Sequence, residues 1–217
     1  MTIADENAAR AYCAGLTDSA GMARLDRLAE LLIEENRRQN LIARASEDHL
    51  WLRHFADSAQ LLAHVPRGSE ALPKAETSPW LDLGTGAGFP GLVIAALRPG
   101  LDCVLVESRR RRAEWLAQVA AELGLVRCRV EAQRLENVES FPAAAISARA
   151  FAPMLKLLSL SARFSTRDTV WLLPKGRSAV QELGGLPGKV AGMFHVEHSA
   201  TDPEAGIIVG KGRPDLA

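Results

Sequence analysis

Glycines and one carboxylate cluster between residues 82 and 91, in the run Asp82-Leu83-Gly84-Thr85-Gly86-Ala87-Gly88-Phe89-Pro90-Gly91. An apolar run precedes the glycines and an apolar helical pattern follows them, which predicts a strand, a tight turn and a helix. Glycines allow positive φ and let a ligand approach the backbone closely. The free N–H groups at the start of the helix would face that ligand. We therefore expect a bound cofactor at this turn.

Two cofactor-binding patterns fit the turn. Gly86, Gly88 and Gly91 satisfy the dinucleotide pattern Gly-x-Gly-x-x-Gly. Asp82, Gly84, Gly86 and Gly88 satisfy Asp-x-Gly-x-Gly-x-Gly, which resembles the first motif of methyltransferases that use S-adenosylmethionine (SAM). The second pattern fits better because Gly84 directly follows the apolar run. A glycine-rich turn without a ligand is the remaining alternative.

A second carboxylate, Glu107, ends the next apolar run about twenty positions later. A carboxylate there can accept hydrogen bonds from a ribose diol, in NAD and SAM sites alike. Ser108 follows and is expected to cap a helix that opens with four arginines, Arg109 to Arg112. The positive end of the helix dipole disfavours cations, so this run indicates contact with RNA phosphates. A merely solvated basic surface is the alternative.

These residues need a sheet to position them. Strand and helix patterns alternate from residue 80 to 175, with predicted strands at 80–83, 101–106, 126–130, 144–148 and 169–173. Such alternation predicts an α/β, doubly wound, Rossmann-like parallel sheet. Ligands bind these sheets beyond the carboxyl ends of the strands, which here carry Gly84, Glu107, Arg149 and Lys175. Two more strands are predicted at 190–197 and 206–211.

The first 75 residues are predicted to form a small helical segment before a second domain at 76–217, with a polar linker at 69–79. One amphipathic helix begins near Gly21 and a second near Ser46, a favourable N-cap residue. Arg53 and Asp57 lie four residues apart and could pair on that second helix. Arg53 and Asp57 make this segment more polar than an ordinary helix–helix interface requires.

Composition limits the partners and the compartment. The 217 residues carry no formal net charge, so any nucleic-acid surface must be local. Three widely spaced cysteines suit a reducing compartment. The polar N-terminus is no signal peptide and no apolar run would span a bilayer, so we expect a cytoplasmic protein without membrane contact. We expect no metal, because His195 and His198 would point to opposite faces of a strand.

The substrate is narrowed by what the sequence lacks. There is no Asn-Pro-Pro-Tyr run of the kind that amino-group methyltransferases use, and no cysteine at a predicted strand end to attack a pyrimidine. An exocyclic amine and a pyrimidine carbon are therefore poor candidates for the accepting atom.

Over residues 36–211 the chain resembles the bacterial small-subunit rRNA guanine-N7 methyltransferases, the glucose-inhibited division protein B family. The resemblance rests on Asn40-Leu41, Arg53-His54-Phe55-Ala56-Asp57-Ser58, the glycine run ending in Gly-Phe-Pro-Gly, Val106-Glu107-Ser108, Ser147-Ala148-Arg149-Ala150-Phe151 and Pro174-Lys175-Gly176. It implies a class I SAM methyltransferase fold and methylation of guanine N7 in the decoding-region loop of 16S rRNA. Alanines at 143–145, where the family often has an Asp, and Ala148 depart from the family pattern.

The resemblance also assigns roles to residues. Contacts to SAM would fall on Gly84, Phe89, Leu135, Glu136 and Arg149, with Leu135 and Glu136 at the adenine. Glu107 would take the ribose, and the backbone of Thr85, Gly86 and Gly88 the methionine end. Arg149 and Lys175 would lie near the methyl group and hold a carboxylate or an RNA phosphate. RNA contacts are expected from Arg53, His54, Arg109, Arg110 and Lys175.

The implied reaction needs no general base, because guanine N7 carries a lone pair and no proton. Orientation and electrostatics are then the main contributions of the protein. An NAD-dependent oxidoreductase and a non-catalytic RNA- or ribosome-binding protein remain the alternatives. We expect the chain to act on 16S rRNA or the small subunit as a monomer.

Overall fold

The structure is a computed structural model that describes residues 2–65 and 78–216. Seven strands form one sheet in the order β3-β2-β1-β4-β5-β7-β6. Their bounds are β1 Trp80–Leu83, β2 Cys103–Val106, β3 Cys128–Glu131, β4 Ala145–Ala148, β5 Val170–Gly176, β6 Phe194–His198 and β7 Gly206–Lys211. The first five strands are parallel, and β7 is antiparallel to both β5 and β6. The predicted α/β fold is confirmed.

Eight α-helices accompany the sheet in the described ranges. Their bounds are α1 Glu6–Ala14, α2 Ser19–Gln39, α3 Asp57–Ala59, α4 Gly91–Leu97, α5 Arg110–Glu122, α6 Met154–Ser161, α7 Ala179–Gly184 and α8 Gly188–Ala191. Alternate residues of the strands enter two different hydrophobic clusters: Cys103 and Leu105 of β2 pack with α2, α4 and α5, whereas Val104 and Val106 pack with α6 and α7. The sheet is therefore covered on both faces, as a doubly wound fold requires.

The N-terminal helices begin at aspartates. Asp5 accepts a hydrogen bond from the N–H of Ala8 and Asp18 from that of Gly21, each at 2.8 Å. Asp18 is the N-cap of α2, so this helix begins two residues before the predicted start at Gly21. Leu25 and Leu28 of α2 belong to the same core cluster as α4. The predicted division at residues 75 and 76 lies outside the described residues and stays a prediction.

The second predicted N-terminal segment is helical, but it is not one regular α-helix. A 3₁₀ turn spans Arg44–His49, a π-helical turn spans Trp51–Ala56, and another 3₁₀ turn follows α3 at Gln60–His64. Ser46 is not an N-cap, since it lies inside the first turn and its Oγ donates to the carbonyl of Ala43 at 2.7 Å. Residues 44–64 are helical throughout, but the hydrogen-bonding pattern changes along the segment.

Two other local predictions are also wrong. Ser108 does not cap α5; Arg109 is the N-cap residue and its N–H donates to the Glu107 carboxylate at 2.7 Å. The strand predicted from residue 190 starts only at Phe194, because residues Gly188–Ala191 form α8. At α5, the Glu107 carboxylate takes the N–H that a Ser108 cap would have bound. At α8, Pro187 and Gly188 start a short helix where the apolar pattern predicted a strand.

All three cysteines are shielded. Cys13 and Cys103 are buried, and Cys128 on β3 is half-buried. Burial raises the pKa of the Cys13 and Cys128 thiols to about 12 and raises that of Cys103 well above its ordinary value. None of the helices in the ranges 2–65 and 78–216 is long and apolar enough to cross a bilayer.

Candidate active site

Pairing within the sheet brings the predicted strand-end residues to one edge. Leu83 at the end of β1 lies opposite Val106 of β2 and Ala148 of β4. The next residues, Gly84, Glu107 and Arg149, therefore leave the sheet side by side. This edge is formed by the carboxyl ends of the parallel strands, where ligands bind in folds of this class.

The turn after β1 uses the conformational freedom of glycine. Gly84, Gly86 and Gly88 have φ of 61°, 61° and 88°. A Cβ on Gly84 would lie 2.5 Å from Cδ2 of Phe151. Glycine is thus required at this position both by backbone conformation and by the ring that covers the turn.

Asp82 fixes the geometry of this turn from below. Its fully buried carboxyl group accepts hydrogen bonds from the N–H of Gly91 at 3.0 Å and from Ser147 Oγ at 2.7 Å. Ser147 in turn accepts the indole N–H of Trp80 at 2.8 Å. Burial raises the pKa of Asp82, and these hydrogen bonds oppose that rise. The group joins β1, β4 and the start of α4, so its role in the motif is structural.

Glu107 reaches from the end of β2 to the same turn. The residue is 6% exposed, and its carboxylate accepts the N–H of Gly86 at 3.1 Å as well as that of Arg109. Each carboxylate oxygen has a further lone pair that is not used by these bonds. The residue can therefore hold the turn and still accept a hydroxyl group.

Thr85 and Phe89 contribute to the turn in different ways. The Thr85 side chain is buried, and its carbonyl accepts the N–H groups of Gly88 and Phe89 at 2.9 and 3.1 Å. Phe89 is also buried, and its ring packs against the N-terminal segment. The N–H of Thr85 donates to the carbonyl of Val106 at 3.1 Å, so both of its backbone groups serve the turn itself.

A cavity of about 240 Å³ opens beside the glycine turn. Its lining includes Gly84 and Val106 from the strand ends and Leu135, Glu136 and Phe151 from the loops that follow other strands. We call it the turn cavity. Its lining mixes the Phe151 ring and Leu135 with polar side chains, which suits an aromatic ring that carries hydrogen-bonding groups at its edge, as a nucleoside cofactor has.

Arg149 lies at the end of β4, where the chain bends. The following residue, Ala150, has a φ of 54°, which is unusual for a residue other than glycine. The Arg149 guanidinium contacts the carbonyl of Arg53 at 3.3 Å and His54 Nδ1 at 3.1 Å, and lies 5.0 Å from the Phe89 ring centroid. It therefore links the N-terminal segment to the glycine turn.

His54 serves this link rather than projecting into solvent. Its ring stacks on Phe89 at 5.0 Å with an interplanar angle of 12°, and its Nε2 lies 3.0 Å from Ser46 Oγ. Burial, with the charges of Arg149 and Arg53, lowers the pKa of His54 to about 3. The imidazole is neutral at physiological pH.

The suggested pair of Arg53 and Asp57 differs in the structure. Asp57 Oδ2 lies 3.5 Å from Arg149, and Oδ1 accepts from Thr201 Oγ1 at 3.0 Å and Gln60 Nε2 at 2.9 Å. The Arg53 side chain is exposed. The carboxylate thus faces the sheet edge, and the guanidinium of Arg53 is left at the surface.

Lys175 on β5 is held inside the protein. Its side chain is 6% exposed, and Nζ lies 2.9 Å from Glu182 Oε2 and donates to the carbonyl of Ala152 at 2.9 Å. Contact with an RNA phosphate would require the ammonium to leave these partners. Ala152 also lines the turn cavity, so Lys175 lies close to that cavity. Its predicted role near the methyl group stays a prediction.

Two larger cavities flank Arg149. The β5 cavity, of about 990 Å³, lies between the ends of β4 and β5 and helix α7. The second, of about 630 Å³, reaches Arg53 and Asp57 on the N-terminal segment. Both are lined by Arg149, Pro174 and Gly176, and the β5 cavity also shares Phe151 and Ala152 with the turn cavity. The β5 cavity thus shares lining residues with each of the other two cavities.

The basic run at the start of α5 is exposed, as expected. Arg109 and Arg110 both lie at the surface, and Arg110 forms an exposed ion pair with Glu114 at 2.8 Å. They stand beside the glycine turn, because the Glu107 carboxylate accepts the N–H groups of both Gly86 and Arg109. An exposed pair of this kind contributes little to stability, so it does not oppose another use.

The sequence alone does not reveal the roles of Phe151, Ser147 or Glu182. The position of Phe151 over Gly84 depends on the positive φ of Ala150, which no local sequence pattern predicts. Glu182 is the only acidic residue between positions 174 and 193, a signal that could have drawn attention to it.

Several known proteins that are similar to this chain carry the names of methyltransferases. The model of the family GidB, described as rRNA small subunit methyltransferase G, matches residues 22–200. A protein of Erythrobacter litoralis named ribosomal RNA small subunit methyltransferase G is 55% identical over 211 residues, covering 97% of this chain and 98% of its own length. A protein of the same name from Novosphingobium aromaticivorans is 54% identical, covering 97% and 90%.

Solved structures share the fold at low identity. The mitomycin 7-O-methyltransferase MmcR has a TM-score of 0.57 and 14% identity, with 85% of this chain and 60% of that chain covered. A mutant of MtNAS in complex with SAM has a TM-score of 0.52 and 14% identity, covering 88% and 75%. These likenesses support the Rossmann-like fold.

Proposed function

The chain belongs to the rRNA small subunit methyltransferase G family, and from this premise we propose that it methylates N7 of a guanine in the decoding-region loop of 16S rRNA. The chain is a SAM-dependent rRNA methyltransferase. What we propose is the methylated base, guanine, and the accepting atom, N7. The family match over residues 22–200 carries it. None of these matches supports an oxidoreductase or a non-catalytic RNA-binding protein.

The residues around the glycine turn fit SAM. The turn cavity would take the adenine between Leu135, Glu136 and Phe151. Glu107 would accept the ribose hydroxyls, and the backbone of Gly84 and Gly86 would approach the methionine end. SAM supplies an electrophilic methyl group on a sulfonium.

The choice of N7 as the accepting atom is supported by the hydrogen bonds that already occupy the acidic side chains near the turn. The carboxyl groups of Asp82 and Glu107 already accept backbone or side-chain hydrogen bonds that hold the turn. Guanine N7 needs no deprotonation, so these residues need only maintain the site while the base is oriented. Arg149 would contribute a positive charge beside the glycine turn, suited to a methionine carboxylate.

RNA would be bound by the exposed cations near this edge. Arg53, Arg109 and Arg110 have exposed side chains, whereas His54 and Lys175 act from within the protein. We also propose that the enzyme acts as a monomer, in the cytoplasm where ribosomal subunits are made.

The test is to locate the methyl group. The purified chain would be incubated with labelled SAM and small subunits from a strain that lacks the modification, and the RNA would be analysed by mass spectrometry. We expect 7-methylguanosine at one position in 16S rRNA. Methylation at another atom, or transfer to no base, would refute the proposal.

Free 16S rRNA would be compared with assembled subunits in the same assay. The ratio of the two rates identifies the substrate form. A catalytically silent control is heat-denatured protein with the same RNA.

A further inference from the structure

The β5 cavity combines apolar walls with one buried ion pair. Phe151, Pro153, Met154, Pro174 and Leu186 are among the residues that surround it. The pair of Lys175 and Glu182 lies in its lining, and the Glu182 side chain is 26% exposed. A volume of about 990 Å³ is ample for a nucleobase.

Glu182 is held in a fixed orientation. Oε2 accepts from Lys175 Nζ at 2.9 Å and from the N–H of Met154 at 3.1 Å, and Oε1 accepts from Ser178 Oγ at 2.9 Å. Burial raises its pKa, but the hydrogen bonds from Lys175 and Ser178 outweigh this and the net pKa is lowered. The cavity therefore presents an ionised carboxylate beside an ammonium.

This arrangement is complementary to guanine. The base carries an acceptor, O6, next to two donors, N1–H and the N2 amino group. A carboxylate pairs with adjacent donors, and an ammonium pairs with an acceptor beside them. Adenine has the opposite pattern at its corresponding edge.

We propose that Glu182 selects guanine by accepting a hydrogen bond from the N2 amino group at the lone pair that remains on Oε1, with Lys175 at O6. This rests on the proposed function and extends it to the recognition of the base. Lys175 also donates to the carbonyl of Ala152, a residue shared with the turn cavity. Since N7 adjoins O6, the proposed orientation directs N7 toward the wall shared with the cofactor.

The experiment is a double substitution of protein and base. Small-subunit RNA would carry either guanosine or inosine at the mapped target, because inosine keeps N7, O6 and N1–H but lacks the N2 amino group. The relative kcat/KM for guanosine over inosine would be measured with the natural chain, Glu182→Ala and Glu182→Gln. Glu139→Gln, on an exposed loop, is the matched control.

We expect the natural chain and the control to prefer guanosine about tenfold. Glu182→Ala should show a ratio near one, and Glu182→Gln an intermediate ratio. If Glu182 only braces α6 and α7, its variants lower both rates equally and keep the natural ratio, which overturns the proposal. The same follows if the natural chain shows no preference.

Failure of the parent proposal has another signature. It would appear as no methyl transfer by the natural chain, or as a methyl group on another atom, before any variant is compared. Should Glu182→Ala not fold, Glu182→Gln decides alone, since it keeps the shape of the side chain. SAM affinity, measured by calorimetry, should be unchanged in Glu182→Gln.

Discussion

The Arg149 guanidinium is held by partners that are distant in sequence. His54, the carbonyl of Arg53 and Asp57 approach it from the N-terminal segment, and the Phe89 ring approaches from the glycine turn. Because the neutral form of His54 is the one that can accept from a guanidinium, protonation of the ring would break this arrangement. The contact is therefore sensitive to pH.

We expect His54 to make the protein less stable in mild acid. Its pKa of about 3 in the folded protein lies below the ordinary value of 6.5, so the unfolded chain binds the proton more readily as pH falls. The free energy of unfolding should drop by about 2 kcal/mol from this group between pH 7 and pH 5. Urea titrations at both pH values would measure it.

Two variants isolate the effect of this histidine. His54→Gln should be less stable at pH 7 but should lose less of its stability between pH 7 and pH 5 than the natural chain. His195→Gln, which replaces an exposed histidine on β6, should behave like the natural chain. Equal pH dependence in His54→Gln would show that other groups are responsible.

Among the elements, the glycine turn depends most on its exact residues. Gly84→Ala introduces a Cβ at a φ of 61° and 2.5 Å from Phe151. We expect a loss of about 2 kcal/mol or more in the free energy of unfolding, since backbone strain alone contributes about 1 kcal/mol. SAM binding should weaken as well, and both are measurable by thermal unfolding and calorimetry.

The chain offers two controls for that substitution. Gly124 has a φ of 65° with no atom within 4 Å of a built Cβ, so Gly124→Ala tests backbone strain alone. Gly100 has neither feature, so Gly100→Ala should leave stability nearly unchanged. If Gly84→Ala costs no more than Gly124→Ala, the Phe151 ring does not restrict this position.

The same elements show how far sequence reasoning reaches. Gly84 and Glu107 could be placed because each directly follows an apolar run, and parallel strands bring such positions to one edge. The contact between Asp57 and Arg149 could not, because 92 residues separate them and no local pattern relates them. The cap predictions at Ser46 and Ser108 are wrong because serine favours both caps and turns: Ser46 Oγ donates to the carbonyl of Ala43, and the Glu107 carboxylate takes the N–H at the start of α5.

At the scale of the whole molecule, the N-terminal segment and the sheet share a core. Leu28 of α2 is fully buried in the cluster that contains Leu92 of α4 and Leu116 of α5. Leu28→Ala should lower the free energy of unfolding by about 2–5 kcal/mol. We expect the unfolding midpoint measured by tryptophan fluorescence and the midpoint measured by loss of SAM binding to shift together to lower denaturant concentration.

A matched surface change completes this test. Val126 is 94% exposed, and Val126→Ala should alter stability by less than about 0.5 kcal/mol. Separate transitions for fluorescence and SAM binding in Leu28→Ala would mean that the N-terminal segment unfolds on its own.

The rate at which the shielded cysteines are labelled reports how often the folded chain opens. Thiolates, not thiols, react with disulfide reagents, and the raised pKa values leave few thiolates near neutral pH. Labelling therefore waits for the chain to open and expose ordinary thiols. Because Cys13 lies on α1 while Cys103 and Cys128 lie on neighbouring strands, the order in which they are modified records which end of the molecule loosens first.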